Sequence, residues 1–127
     1  TRPAEGILLD LVGGDGKPVA RIPVDPNVHG NTDFDLGPEG HSLDANPALV
    51  EAIWAKAEEL GHPAFVRQTC GYITDDHVPL IAAGIKMVDI IHAFPVVWHT
   101  VDDTPDHCSA DSLYQVGDTL AHLIYGG

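Results

Sequence analysis

The heptapeptide GILLDLV at residues 6–12 is an apolar run with one aspartate, Asp10, inside it. A run of this length and composition is typical of a strand buried on both faces of a parallel sheet, and Gly13-Gly14 ends it. A buried carboxylate costs several kcal/mol unless it is paired, hydrogen-bonded or bound to a metal. Asp10 is therefore either a site residue at the carboxyl end of a strand or an acceptor for nearby loop amides.

The segments that follow predict an α/β fold. Asn46-Pro47 begins a helix whose apolar residues, Val50 to Leu60, lie on one face and which Gly61 ends. We also expect a strand within residues 65–74, a short helix around Pro79 that ends near Gly84, a β-branched strand at 85–91, and a last helix capped by Ser109 and buried through Leu113, Val116, Leu120, Leu123 and Ile124. Residues 14–45, rich in Gly, Pro, Asp and Asn, are expected to form a long loop or insertion.

These elements predict a mostly parallel (mixed) sheet flanked by helices. With about three strands and two secure helices, the chain cannot cover both faces of such a sheet. We therefore expect residues 1–127 to be part of one catalytic domain, incomplete without a partner segment.

Composition limits the partners. The 127 residues carry a formal charge of −13, which argues against nucleic-acid phosphates and anionic membranes. The apolar stretches fall short of the roughly 20 residues that span a bilayer, so no membrane span is expected. Cys70 and Cys108 permit one disulfide without requiring it.

Acids and histidines mark the other candidate site residues. Asp75, Asp76 and His77 are consecutive between a predicted strand and a helix. Two adjacent carboxylates raise the pKa of one of them, which favours proton transfer, although Asp76 could cap the helix and His77 could be a core histidine. Trp98 and His99 follow the next strand, where an imidazole can bind zinc and an indole can form the wall of a pocket.

Four segments in this order resemble the C-terminal half of the glutaminyl cyclase and zinc aminopeptidase family. They are LLDLVG at 8–13, ITDDHVPL at 73–80, AGI at 83–85 and FPVVWHTVDD at 94–103. The resemblance covers nearly the whole chain except residues 14–45. It implies a zinc-exopeptidase-like fold with zinc at the strand ends.

The resemblance also implies residue roles. His99 is expected to bind zinc, and Asp10 either binds a second zinc, as in two-metal aminopeptidases, or joins a proton-sharing network, as in cyclases. Asp75 belongs to that network, so Asp75 and Asp10 are the expected catalytic residues. The expected substrate-pocket residues are Trp98, Phe94, Asp76 and His77.

The implied reaction is cyclisation of an N-terminal glutamine to pyroglutamate by a secreted or periplasmic enzyme with one or two zinc ions. The alternatives are a zinc aminopeptidase acting on peptides and a catalytically inert fragment or scaffold module. In the family, another His, an Asp and a Glu pair come from segments upstream of the LLD strand. We therefore expect this chain alone to be inactive and to need an N-terminal half as its partner.

Overall fold

The computed structural model describes residues 5–14, 35–92 and 105–126. Two strands and four helices follow one another within these ranges, which confirms the α/β class. They are β1 (Glu5–Asp10), α1 (Gly40–Ala45), α2 (Pro47–Glu59), α3 (His77–Ala82), β2 (Lys86–Ile91) and α4 (Ala110–Tyr125), with a 3-10 turn at Pro105–His107 before α4.

The two strands form a parallel pair whose register decides which side chains share a face. Leu8 lies opposite Asp89, and Asp10 lies opposite Ile91. Because successive side chains point to opposite faces of a sheet, Asp10 and Asp89 are on the same face. Two carboxylates from neighbouring strands are thus directed to one side of the sheet.

Helices α2 and α4 cover the other face and form the hydrophobic core with it. Trp54 of α2 is fully buried, and its indole N–H donates to the carbonyl oxygens of Leu36 (3.1 Å) and Val66 (2.9 Å), as buried tryptophans require. The buried core residues are Leu36, Val50, Ile53, Trp54, Ala57, Ala64, Phe65, Val88, Ile90 and Val116.

Helices α1 and α3 both pack against β2, α1 at the edge that faces away from β1 and α3 on the face that carries the two aspartates. The hydroxyl oxygen of Ser42, in α1, accepts a hydrogen bond of 2.8 Å from the backbone N–H of Asp89. His77, the first residue of α3, is fully buried against the same strand. These two short helices enclose the polar interior of the protein.

Both long helices begin where their capping residues predict. The side-chain oxygen of Asn46 accepts from the backbone N–H of Leu49 (3.2 Å), and Pro47 is the first residue of α2. Ser109 likewise accepts from the N–H of Ser112 (3.2 Å) at the start of α4. Local capping chemistry therefore fixes both helix starts.

The predicted buried stripe of α4 is only partly correct. Val116 is 2% exposed, but Leu113 and Ile124 are 52% and 60% exposed. Leu120 and Leu123 are partly buried against the core, as predicted, and the buried residues of α4 are Ser112, Gln115, Val116 and Thr119. Helical spacing places Leu113 and Ile124 on a flank of α4 that no described element covers.

The predicted loop at residues 14–45 contains structure at its C-terminal end. Helix α1 occupies Gly40–Ala45, and Leu36 and Glu39 are fully buried. Single parallel bridges, Leu36 with Phe65 and Glu39 with Gly71, replace the strand expected within residues 65–74. Buried side chains and long-range bridges order this end of the segment despite its loop-like composition.

Two further properties concern the described residues. Cys70 and Cys108 are both free, and burial, together with the negative charge of Glu39, raises the pKa of Cys70 to about 11. None of the helices in the described segments combines the length and apolar character needed to cross a bilayer.

Candidate functional site

Three aspartates converge at the carboxyl end of the strand pair. Asp10 is the last residue of β1, Asp89 lies within β2, and Asp75 reaches them from the turn before α3. The carboxyl group of Asp75 lies close enough to those of Asp10 and Asp89 to shift the pKa of both. Because ionised carboxylates repel one another, this arrangement favours either a shared proton or a bound cation.

Asp75 is the most acidic member of this trio. Burial alone would raise its pKa, but the backbone N–H of Asp76, which donates to Asp75 Oδ1 at 2.8 Å, and the interactions with the neighbouring carboxyl groups of Asp89 and Asp10 lower it. The pKa of Asp10 is raised, first by burial and then by Asp75. The directions of these shifts make Asp75 the member of the trio that ionises most readily.

Asp89 is the carboxyl group that holds a proton at neutral pH. Its side chain is 0% exposed, and burial, followed by the neighbouring carboxyl group of Asp75, raises its pKa to about 8. No described amide or hydroxyl group donates to either of its carboxyl oxygens. These two carboxyl oxygens can be satisfied by a proton shared with Asp75 or by a bound cation.

His77 and Glu39 extend the cluster into the protein. His77 Nε2 lies 2.6 Å from Glu39 Oε1, and His77 Nδ1 lies 3.4 Å from Asp89 Oδ2. Burial would raise the pKa of Glu39, but hydrogen bonds from the backbone of His41 and Ile73 and from Ser42 lower it. Glu39 is therefore an ionised acceptor, so His77 Nε2 carries the proton and Nδ1 faces Asp89.

The cluster has the donor chemistry that a metal ion requires. Asp75, His77 and Asp89 each offer a ligand atom, and these atoms lie within 4.8 Å of one another. Carboxylate oxygens and imidazole nitrogens are zinc ligands, and the Asp89 oxygens lack donors. However, His77 and Asp89 are fully buried, so this group has no open position for a substrate.

The structure brings some of the predicted site residues together. Asp10 and Asp75 are in contact, and Asp76 is exposed beside them, without a side-chain hydrogen bond that caps α3. The prediction that His77 lines a substrate pocket does not agree with its complete burial between Glu39 and Asp89. Phe94, Trp98 and His99 lie outside the described residues.

Sequence reasoning missed Asp89 and Glu39. Asp89 had the same signal as Asp10, a lone carboxylate in an apolar strand, KMVDII at Lys86–Ile91. Glu39 carried no such signal, because its partners Ile73 and His77 are distant in sequence. The sequence alone could therefore have identified Asp89 as a member of the cluster, whereas Glu39 could be identified only from the fold.

Replacing Asp89 with asparagine should remove a pH-dependent component of stability. Because the folded-state pKa of Asp89, about 8, lies above its ordinary value of 3.8, unfolding releases a proton between these pH values. The free energy of unfolding of the wild type should therefore fall as the pH rises through this range, by up to about 1.4 kcal/mol per pH unit from this group. Asp89→Asn retains the shape of the neutral side chain but cannot titrate. Its free energy of unfolding should therefore lack this pH dependence.

Urea unfolding in EDTA at several pH values between 5 and 8 measures this slope. The exposed Asp44 gives the matched control, Asp44→Asn, which should retain the wild-type slope. Equal slopes in Asp89→Asn and the wild type would show that Asp89 is already ionised in the folded protein.

Comparison with known proteins agrees with the geometry. The sequence matches peptidase family M28 over residues 7–124. It is 32% identical to the glutaminyl-peptide cyclotransferase of Bos taurus, over 93% of this chain and 31% of that protein. The chain thus spans about a third of this curated relative.

Two solved structures share the fold. The glutaminyl cyclase of Tannerella forsythia is 29% identical, with a TM-score of 0.81, over 99% of this chain and 40% of that one. A Zn-dependent exopeptidase of Parabacteroides distasonis is 30% identical, with a TM-score of 0.80, over 98% of this chain and 40% of that one. On the match of residues 7–124 and these similarities, the chain belongs to peptidase family M28 and resembles its glutaminyl cyclases.

Proposed function

We propose that this chain is the C-terminal part of a zinc-dependent glutaminyl-peptide cyclotransferase-like enzyme, which converts N-terminal glutamine to pyroglutamate. The observation that carries the proposal is the electrostatically coupled pair of Asp10 and Asp75 at the end of β1, backed by the buried Asp89. The similarity to a cyclotransferase over 93% of the chain supports the same reaction.

The reaction needs a group that moves a proton. The α-amine of glutamine forms a bond to its own γ-carbonyl carbon, the bond from that carbon to the amide nitrogen breaks, and ammonia leaves. The amine loses a proton and the departing nitrogen gains one, so no other reactant is consumed. A pair of carboxyl groups that already shares a proton can accept the first proton and return it.

We propose His99 as the zinc ligand within this chain, with Asp10 as a further zinc ligand if the enzyme is a two-metal aminopeptidase and as the proton-sharing partner of Asp75 if it is a cyclase. Zinc bound there would polarise the γ-carbonyl group of the substrate. A catalytic zinc site has about three protein ligands and an open position, so a companion N-terminal half must supply the others. The enclosed group of Asp75, His77 and Asp89 then lies next to the zinc site and exchanges protons with Asp10.

The substrate in this proposal is a peptide with an N-terminal glutamine. Trp98 and Phe94 are proposed as pocket walls, with Asp76, which is exposed beside Asp75, at the rim. Nucleic acid is not a proposed partner, given the charge of −13. A secreted or periplasmic location is proposed from the family resemblance, and cell fractionation tests it.

An aminopeptidase is the second candidate, favoured by the similarity to a Zn-dependent exopeptidase. The chain, co-purified with its N-terminal half, should be assayed on a glutaminyl peptide and on a leucyl anilide. Pyroglutamate formation supports the cyclase, whereas turnover of the anilide alone replaces it with the aminopeptidase. Failure of both assays, with no zinc in the complex, would leave the inert scaffold module.

Replacing His99 with alanine should abolish zinc retention by the complete enzyme without unfolding it. The loss of one ligand from a site of about three removes much of the binding free energy of the metal. Metal content per chain and circular dichroism measure the two effects. His122→Ala changes a half-exposed histidine of α4 and should keep the zinc. Full zinc content in His99→Ala would remove His99 from the site.

A further inference from the structure

A buried series of polar side chains leads from Glu39 to the carboxyl cluster. Glu39, His77 and Asp89 are each 0% exposed. His77 Nε2 lies 2.6 Å from Glu39 Oε1, and the other ring nitrogen, Nδ1, lies 3.4 Å from Asp89 Oδ2. The imidazole therefore lies between two carboxyl groups, one beside each ring nitrogen. We call Glu39, His77 and Asp89 the buried relay.

Glu39 determines which ring nitrogen of His77 carries the proton. Its carboxylate also accepts hydrogen bonds from three backbone N–H groups and from the hydroxyl group of Ser42. A carboxylate that is surrounded by so many donors is an ionised acceptor, and its partner Nε2 of His77 must then be an N–H group. A neutral imidazole that is protonated at Nε2 has its lone pair at Nδ1, on the side of Asp89.

Two groups that lack hydrogen-bond partners in the described chain face each other at the end of the buried relay. No described hydrogen bond reaches Nδ1 of His77 or either side-chain oxygen of Asp89. A buried acceptor nitrogen needs a donor, and a buried carboxyl group without donors is more stable protonated than ionised. The acid proton of Asp89 satisfies both groups if the 3.4 Å between Oδ2 and Nδ1 shortens slightly. Asp75, His77 and Asp89 place atoms within 4.8 Å of one another, so Asp75 is the competing acceptor for this proton.

Ser42 holds the two ends of the buried relay at a fixed separation. Its hydroxyl group donates to Glu39 Oε1 (2.9 Å), and the same oxygen accepts from the backbone N–H of Asp89 (2.8 Å). Glu39 is thus connected to β2 twice, through Ser42 to the backbone of Asp89 and through His77 toward its side chain. Because Ser42 restrains Glu39 relative to β2, the contact of Glu39 with Nε2 fixes the direction in which Nδ1 faces.

We propose that Glu39 and His77 are positioning residues for the proton chemistry of Asp75. They act through Asp89, whose acid proton can be directed either to Nδ1 of His77 or to the carboxylate of Asp75. While the proton is directed to His77, Asp75 is free to accept a proton from the substrate. Asp89 keeps its O–H bond throughout and only the acceptor of its hydrogen bond changes, so the buried relay neither gains nor loses a proton. This inference rests on the proposed function, in which Asp75 moves the proton.

A purely structural role for His77 predicts a different outcome. If the buried relay only holds α1, α3 and β2 together, any substitution that keeps the contact with Glu39 should preserve the rate. His77→Gln separates the two roles. The side-chain amide of glutamine can reach the position of Nε2 and donate to Glu39, but glutamine has no polar atom at the position of Nδ1. The variant therefore keeps the contact with Glu39 and removes the acceptor for Asp89.

The tautomer of His77 is the first test, and it needs neither a variant nor turnover. Nitrogen NMR of the complete enzyme with isotope-labelled histidine distinguishes a protonated ring nitrogen from one with a free lone pair, and the signals of His77 are assigned by their connection to its backbone. The expected result is a protonated Nε2 and an unprotonated Nδ1. A proton on Nδ1, a doubly protonated ring or a metal ion bound to Nδ1 would overturn the proposal.

Steady-state kinetics of the complete enzyme on a glutaminyl peptide are the second test. His77→Gln should lower kcat about tenfold, at the lower end of the usual effect of a residue that orients a functional group, and leave KM near the wild-type value. His122→Gln is the matched control, because it changes a half-exposed histidine of α4 and should leave both constants unchanged. A wild-type kcat in His77→Gln that is folded by circular dichroism would overturn the proposal, and if this variant does not fold, the tautomer of the wild type decides.

Failure of the buried relay and failure of the proposed function give different results. Pyroglutamate formation with a wild-type kcat in His77→Gln rejects the relay and keeps the cyclase reaction. If the complete enzyme turns over only the leucyl anilide, the cyclase reaction is rejected, and a lower kcat of His77→Gln on the anilide supports the relay. No turnover of either substrate rejects both.

Discussion

Glu39→Ala is expected to lower the free energy of unfolding by about 3–5 kcal/mol, the range for a buried charged partner removed from a hydrogen-bonded network. The carboxylate is 0% exposed and accepts from the N–H groups of His41 (2.7 Å), Ser42 (3.0 Å) and Ile73 (3.1 Å), from Ser42 Oγ (2.9 Å) and from His77 Nε2 (2.6 Å). Alanine leaves these donors without their acceptor in the interior. An unsatisfied buried donor costs about 1–3 kcal/mol, reduced where water can enter.

Urea unfolding followed by circular dichroism measures the loss. Glu39→Gln keeps the volume and one acceptor oxygen, so its loss of stability should be intermediate. Glu51→Ala removes an exposed glutamate that pairs with Arg67 on the surface, and it should cost about 1 kcal/mol or less. Equal stability of Glu39→Ala and Glu51→Ala would mean that the Glu39 network does not hold α1, α3 and the 71–73 segment together.

Local sequence signals predicted the elements that local chemistry determines. The starts of α2 and α4 follow from Asn46, Pro47 and Ser109, whose capping partners are at most three residues away. The strands were recognisable as apolar runs, and their parallel pairing confirms the predicted class. Each of these features depends on a few consecutive residues.

Features that depend on distant partners were not predicted. Helical spacing predicts that Leu113 and Val116 lie on the apolar side of α4, but only the packing of α4 in the fold decides that Val116 joins the core and Leu113 does not. Glu39 is ordered by Ile73 and His77, which are 34 and 38 residues further along the chain. An isolated glutamate in a segment of loop-like composition does not indicate such long-range contacts.

Asp75→Asn should reduce the turnover of the complete enzyme by roughly 10² or more while zinc is retained, which is the usual size of a general acid–base contribution. Asparagine has nearly the shape of aspartate and can still accept the hydrogen bond from the N–H of Asp76. It cannot take up a proton or hand one to its partners. The change therefore separates the geometry of this position from its protonation chemistry.

The two mechanisms that place Asp75 at the site predict different kinetic changes. If Asp75 moves the proton, kcat for the glutaminyl peptide falls and KM stays near the wild-type value, because substrate binding is not altered. If Asp75 only holds Asp10 and Asp89 in place, asparagine should preserve much of the rate, since its amide can hydrogen-bond to both carboxylates. Asp44→Asn, in the exposed part of α1, should leave kcat and KM unchanged. A wild-type kcat in Asp75→Asn would exclude proton transfer by Asp75 and confine its role to the folded framework of the carboxyl cluster.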